Sequence, residues 1–171
     1  MLRRLGPDSW RTARDVRLRA LAYTPEAFGS TLGDAKTMTK RDWRDWLSLL
    51  GMGTTTVSED QETVHGIIRA GPEGRGGGLF SLWVAGDARG QGIGRRLLGA
   101  GLDWARDQVH EKVMLGVGRA NRRAVHLYRH FRFERTTADA AEDPDEDRYV
   151  LRLTSNLAAL PLRAGRGPEC P

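Results

Sequence analysis

Only one cysteine, Cys170, occurs among the 171 residues, so no disulfide can form within the chain. That fits a reducing compartment, and a cytoplasmic location is the expectation. No apolar run approaches the roughly 18 residues that a membrane span needs. The opening Met-Leu-Arg-Arg-Leu-Gly-Pro-Asp carries no apolar signal region. The four histidines are scattered, without a thiol or carboxylate cluster near them, and nothing points to a metal site. Internal repeats are absent. So are blocks of five or six like charges with interleaved aromatics, which disfavours a nucleic-acid partner even at a net charge of +5. The excess arginine reads as a solvated surface with an affinity for an anionic cofactor.

The length suits one domain with a real core, here taken as residues 1–155. Beyond it, residues 156–171 are rich in Pro, Gly and Arg and lose periodicity, as a flexible tail would. The pattern predicts a strand over 2–6 and a helix over about 10–22, capped by Asp8 or Ser9, with Ala13, Val16, Ala20 and Leu21 inward. Residues 23–34 contain Pro25, Gly29 and Gly33 and read as a loop. Thr39 and Asp42 form a variant capping box for a helix whose stripe is Trp43, Trp46, Leu47 and Leu50. Core packing explains those tryptophans better than a stacking site. Strands follow over 54–58 and 63–70, then a flexible turn over 71–78. A half-buried strand over 148–154 closes the pattern, after a loop carrying Asp139, Glu142, Asp143, Asp145, Glu146 and Asp147. That acidic loop reads either as solvated charge balancing a basic protein or as a device that steers a cationic amine.

Residues 79–95, Leu-Phe-Ser-Leu-Trp-Val-Ala-Gly-Asp-Ala-Arg-Gly-Gln-Gly-Ile-Gly-Arg, hold the strongest signal. An apolar strand runs into a glycine-rich turn and straight into a helix burying Ile93, Leu97, Gly101 and Trp104. Glycines let the backbone turn tightly and approach a ligand. The free N–H groups and dipole of the new helix favour an anion there, and a phosphate-bearing ligand follows. A P-loop is excluded because no Lys follows the glycines, and Gly90, Gly92 and Gly94 do not fit the dinucleotide spacing. The remaining pattern is Arg-x-x-Gly-x-Gly at Arg89, Gly92 and Gly94. A bare glycine turn capping an ordinary helix would look the same in isolation.

A second segment supplies context. Residues 112–118 read as a strand, and residues 122–131 as a helix with Ala124, Leu127, Tyr128 and Phe131 on one face. Asn121 precedes that helix and Phe133 follows it. Together the two segments, over residues 79–134, resemble motifs A and B of the GCN5-related N-acetyltransferase (GNAT) superfamily. Asn121, Ala124, Leu127, Tyr128 and Phe133 match motif B in register. Arg132 stands where the family usually has glycine, at a place where a side chain pays a steric cost.

The resemblance implies an α/β fold with a mixed, mostly antiparallel sheet, splayed central parallel strands and flanking helices. It implies acetyl-CoA as co-substrate and a small-molecule or peptide amine as acceptor. Backbone groups of Leu82, Trp83 and Val84 would pair with the pantetheine arm, one N–H serving the thioester oxyanion. Arg89, Gly90, Gln91, Gly92, Ile93, Gly94 and Arg95 would cradle the pyrophosphate. Asn121 is both a candidate N-cap and a candidate pantetheine contact. Tyr128 is the candidate general acid, with a backbone-bonded core tyrosine as the alternative. The general base is missing, because the position matching the family's strand glutamate is Gly116. His65, Glu59 and Asp60 are substitutes on the middle strands, or a water chain serves. His126 and His130 lie off the Tyr128 face. The competing reading is a non-catalytic acyl-CoA-binding regulatory module on the same fold. Association as a homodimer is left open.

Overall fold

In the computed structural model, residues 1–48, 52–61, 63–137 and 144–153 are described. Seven strands form one sheet: β1 (Leu2–Arg4), β2 (Thr54–Glu59), β3 (Val64–Glu73), β4 (Gly76–Val84), β5 (Lys112–Gly118), β6 (Glu134–Thr136) and β7 (Glu146–Arg152). Their spatial order is β1-β2-β3-β4-β5-β7-β6. Among the described residues every pairing is antiparallel except that of β4 with β5. The helices are α1 (Trp10–Tyr23), α2 (Leu32–Thr37), α3 (Lys40–Ser48), α4 (Ile93–Asp107) and α5 (Arg122–His130). This is the mixed, mostly antiparallel sheet with flanking helices that the two motifs led one to expect.

The longest apolar stripe makes the main packing surface. α4 buries Ile93, Leu97, Leu98, Gly101, Leu102, Trp104 and Ala105. Each large side chain of that set contributes roughly 1.5–3 kcal/mol on leaving water. Adjacent residues of a strand point to opposite faces, and β3 serves both. Gly66 and Ile68 meet α4, whereas Arg69 bonds the carbonyl of Trp46 in α3. On that second face α1 contributes Ala13, Val16, Arg17 and Ala20. Trp43 is buried in a smaller cluster with Leu21 and Ala35, and its ring meets Trp46 edge-on at 5.6 Å. The tryptophans of α3 are thus packing residues. Leu50, the last of that expected stripe, lies outside the described residues.

Two loop expectations are overturned. Residues 23–34 are not loop throughout: Pro25–Ala27 form a 3-10 turn and α2 begins at Leu32. The Thr31 side chain accepts a bond from the Asp34 N–H and so caps α2. Residues 71–78 are not a flexible turn but the tip of a long β3–β4 hairpin, with Gly71↔Gly78, Pro72↔Gly77 and Glu73↔Gly76 in register. The glycines there are set by crowding. A Cβ on Gly76 would meet the carbonyl of Lys112 at 2.8 Å, and one on Gly77 would meet His110 at 3.1 Å. Ser9 occupies the cap position of α1 but makes no side-chain cap bond, since a 3-10 turn over Pro7–Ser9 leads into the helix. The capping box of α3 forms as read, Thr39 N–H donating to Asp42 Oδ2 at 2.7 Å and Asp42 N–H to Thr39 Oγ1 at 3.3 Å. Arg132 takes a φ of +65°, the left-handed conformation its place in the motif demands. The tail expected over 156–171 lies outside the described residues.

Gly66 sits where α4 presses hardest on β3. A Cβ there would lie 2.7 Å from the Trp83 carbonyl and 2.9 Å from Leu97 Cδ1. The backbone oxygen has no room to give. Gly66→Ala should therefore destabilise the fold by about 1–3 kcal/mol through overpacking. Urea unfolding should show the midpoint fall, and an unchanged midpoint would mean that β3 and α4 are less tightly apposed than described.

Candidate functional site

β4 and β5 touch at one end only. Their parallel register covers Gly77↔Val113 and Gly78↔Met114 and then stops. The cause lies in β4. Its pairing with β3 slips between Ile67 and Arg69, and Ser81 takes a φ of +57°. An extra residue opposite a strand bends it and raises its twist. Beyond the bulge β4 turns away from β5 while keeping Trp83 and Val84 paired to Ile67 and Gly66 of β3. A cleft opens in the middle of the sheet, with backbone of Leu82, Trp83 and Val84 along one edge. The Trp83 indole is buried at 5% exposure, so that residue offers the cleft only its main chain.

The cleft runs into the glycine turn. A 3-10 turn over Gly86–Ala88 follows β4, then Gly90 and Gly92 adopt left-handed φ values of +81° and +74°. Gly92 is the N-cap of α4 and supplies no side-chain cap. The first backbone bond of the helix runs from Arg96 N–H to the Gly92 carbonyl at 3.1 Å. The N–H groups of Ile93, Gly94 and Arg95 precede it, so they face outward at the positive end of a four-turn helix. Gln91 and Arg95 are exposed beside them. Arg89 donates through Nε to the Val84 carbonyl at 3.1 Å and ties the turn back to the strand.

α5 lies alongside. The Asn121 side chain accepts a bond from Ala124 N–H at 3.1 Å and caps the helix, which settles one of its two expected roles. Leu127 Cδ2 lies 3.4 Å from where a Cβ on Gly94 would sit, so α5 packs on the first turn of α4. Tyr128 is 7% exposed, with its ring 5.9 Å from that of Phe133. Burial pushes its phenol well above the usual tyrosine range, so it keeps its proton through neutral and alkaline pH. His126 and His130 are exposed.

The expected bases do not gather at the bulge. Glu59 is held by Arg3, whose hydrogen bond draws its carboxyl below the usual range. Asp60 bonds His65 at 2.7 Å, and His65 sits opposite Ala85, past the end of β4. Instead, Glu146 at the start of β7 lays its carboxylate over Gly116, on the volume a Cβ at residue 116 would take. The sequence hid this, because Glu146 falls in what reads as an acidic loop, whereas Glu146 and Asp147 belong to β7. Asp147 is likewise engaged, accepting from Arg119 at 2.9 Å and Arg135 at 2.7 Å. Asp139, Glu142 and Asp143 lie outside the described residues.

Two further residues escaped the reading, Arg17 and Arg69. Both are buried, at 6% and 8% exposure. Arg17 donates to Ser30 Oγ at 2.7 Å and to Ser81 Oγ, the bulge residue, at 3.4 Å. Its guanidinium lies 4.1 Å over the Phe28 ring. That of Arg69 lies 3.9 Å over Trp46, which Arg17 also faces at 5.8 Å. Burial lowers the pKa of Arg17 to about 10, and burial together with the charge of Arg17 lowers that of Arg69 to about 9. The signal was present in the sequence: each arginine stands at an inward position of its apolar element. Among the described residues no group of three or more His, Cys, Asp or Glu is placed to hold a metal ion.

This arrangement has known counterparts. A family model described as acetyltransferase (GNAT) family matches residues 18–133. The mycothiol acetyltransferase of Cellulomonas flavigena is 33% identical over 146 residues, which is 80% of this chain and 40% of that protein. The chain thus spans about two fifths of the length of the curated relatives it matches. Among solved structures, the ribosomal-protein-alanine N-acetyltransferase of Brucella melitensis superposes with a TM-score of 0.70 at 22% identity, over 90% of this chain and 99% of that one. The PaiA N-acetyltransferase of Thermoplasma acidophilum, solved in complex with coenzyme A, gives 0.71 at 14% identity, over 90% and 98%. The match over residues 18–133 takes in both the parted strands and the helix they lead into, and the chain belongs to the acetyltransferase (GNAT) family.

Proposed function

We propose that this chain transfers the acetyl group of acetyl-CoA to a primary amine, a small-molecule amine or a peptide N-terminus, by direct attack in a ternary complex. The observation that carries the reading is the cleft between β4 and β5 ending on the uncapped start of α4. An extended, amide-bearing arm with a diphosphate at one end complements both halves. Its amides meet the free edge of β4 at Leu82, Trp83 and Val84. Its phosphates meet the N–H groups of residues 90–95, with Arg95 as a charge-assisted donor. The coenzyme A in a fold neighbour and the names of the relatives support the same ligand.

In the reaction, the amine nitrogen loses a proton to the Glu146 carboxylate and attacks the thioester carbonyl. A β4 N–H beside the bulge donates a hydrogen bond to the developing oxyanion. The C–S bond then breaks, the Tyr128 phenol gives its proton to the departing sulfur, and the second proton of the attacking nitrogen passes to the phenolate. The products are the N-acetylated amine and coenzyme A. Glu146 thus replaces, from the neighbouring strand, the carboxylate that Gly116 cannot supply.

Four substitutions test this. Gly92→Val should abolish acetyl-CoA binding in calorimetry, because valine resists a φ of +74° and its branches crowd the anion. Unchanged affinity in a folded variant would remove the cradle. Tyr128→Phe should cut kcat by about 10²-fold or more with acetyl-CoA affinity nearly intact. An unaltered kcat would make the hydroxyl structural. Glu146→Gln should lower kcat by about 10²-fold at neutral pH and recover activity as pH rises and the ammonium loses its proton unaided. Gly116→Ala should act the same way, since its Cβ displaces the Glu146 carboxylate. Should the protein bind acetyl-CoA yet turn over no amine, the acyl-CoA-binding module is the reading that stands.

A further inference from the structure

Arg17 and Arg69 are buried, and the acetyl-transfer steps do not use them. We propose that they form a carboxylate-binding subsite for the acceptor, so that the amine acetylated here carries a free carboxylate close to its amino group, as an α-amino acid does. The inference rests on the amine-acceptor reading above and specifies its substrate class.

Four observations support it. First, the two guanidinium groups share Trp46, at 5.8 and 3.9 Å from its ring, so they belong to one site. Second, neither meets a carboxylate among the described residues. The partners of Arg17 are two serine hydroxyls and aromatic faces, and those of Arg69 are the Trp46 carbonyl and ring. Buried arginine is ordinarily paired, because taking its charge out of water is costly without a counter-charge. Arg69 Nε is buried with no hydrogen-bond partner at all. Third, the site adjoins the reaction. Arg17 reaches Ser81, the bulge residue, one position before Leu82 at the cleft edge. Arg69 pairs across the strands with Phe80 and so points to the same face of the sheet. Fourth, Glu146 is on that face too. It pairs in register with Gly118, two residues along β5 from the Gly116 it covers. The same face carries Arg148 of β7, which bonds Glu73 of β3 and lies 3.9 Å from Glu146, whereas Arg17 and Arg69 meet no carboxylate among the described residues. A zwitterion fits with its carboxylate at those two arginines and its ammonium toward Glu146. A guanidinium offers a planar fork of donors that carboxylate geometry fits, and a desolvated site strengthens the bond. The lowered pKa of each arginine is the cost of standing there unpaired, and both remain protonated at neutral pH.

The test compares free L-amino acids with their carboxamides as acceptors, at fixed acetyl-CoA, with product detected by mass. The acids should be used about 10- to 100-fold more efficiently in kcat/KM than the matching amides, the worth of a charge-assisted pair. Arg69→Met and Arg17→Gln should each raise KM for the acids by a similar factor, raise KM for the amides far less, and leave acetyl-CoA affinity in calorimetry as it was. Two variants on separate elements guard against one that fails to fold. Calorimetry of the preferred acids with the coenzyme A complex reads the subsite without turnover. If acids bind there and both variants lose them while no amine is acetylated, the subsite holds and the transfer reading falls. If acids and amides are acetylated equally well, transfer holds and the subsite is overturned, as it is if the preference for acids survives both substitutions.

Discussion

The parting of β4 from β5 is the constraint on which the rest depends. A parallel pair in the middle of a sheet normally bonds along its length, and an unpaired backbone group kept from water costs about 1–3 kcal/mol. Here the ladder ends after two positions, and the bulge at Ser81 holds the strands apart. The fold tolerates the gap because its other edges are secure. β4 is zipped to β3 on one side, β5 to β7 over seven positions on the other, and α4 clamps β3 and β4 from one face. What is left is a slot lined by main-chain donors and acceptors, a shape that suits an extended ligand bearing amides of its own.

The bulge also sorts the chemistry by face. At the mouth of the slot stands the positive end of α4, built from left-handed glycines with no capping side chain. On the face turned toward α1 and α3 stand Arg17, Arg69 and the Glu146 carboxylate. An anion at the mouth would meet backbone N–H groups, and one on the inner face would meet side chains. The two differ in kind. The mouth is exposed at Gln91, Gly92 and Arg95, whereas the inner face keeps two cations at under a tenth exposure, stacked on Phe28 and Trp46. Stacking of about 0.5–2 kcal/mol offsets only part of what such burial costs.

What the sequence by itself determined were the features that local physics dictates. The helical period of α4 and α5, the capping box of α3, the cap at Asn121 and the left-handed glycines of the turn each depend on residues within one helical turn of each other. The strand over 112–118 was legible for the same reason, and so was the mixed sheet that two motifs in order imply. Only the tertiary structure decided the rest. Glycines at 76–78 looked like a flexible turn, yet Lys112 crowds Gly76 and His110 crowds Gly77 from another segment. Gly116 looked like a missing base, and the side chain over it comes from a strand 30 residues later, across a register that no local pattern encodes. Arg17 and Arg69 each stand at an inward position of an apolar element, but that they meet was decided by α1 packing on β3 and α3 packing on α1 and β2. Hydrogen bonds and φ preferences act over a few residues of chain. Burial, crowding and the pairing of charges act over a few ångströms of space, and only the folded chain decides which residues share them.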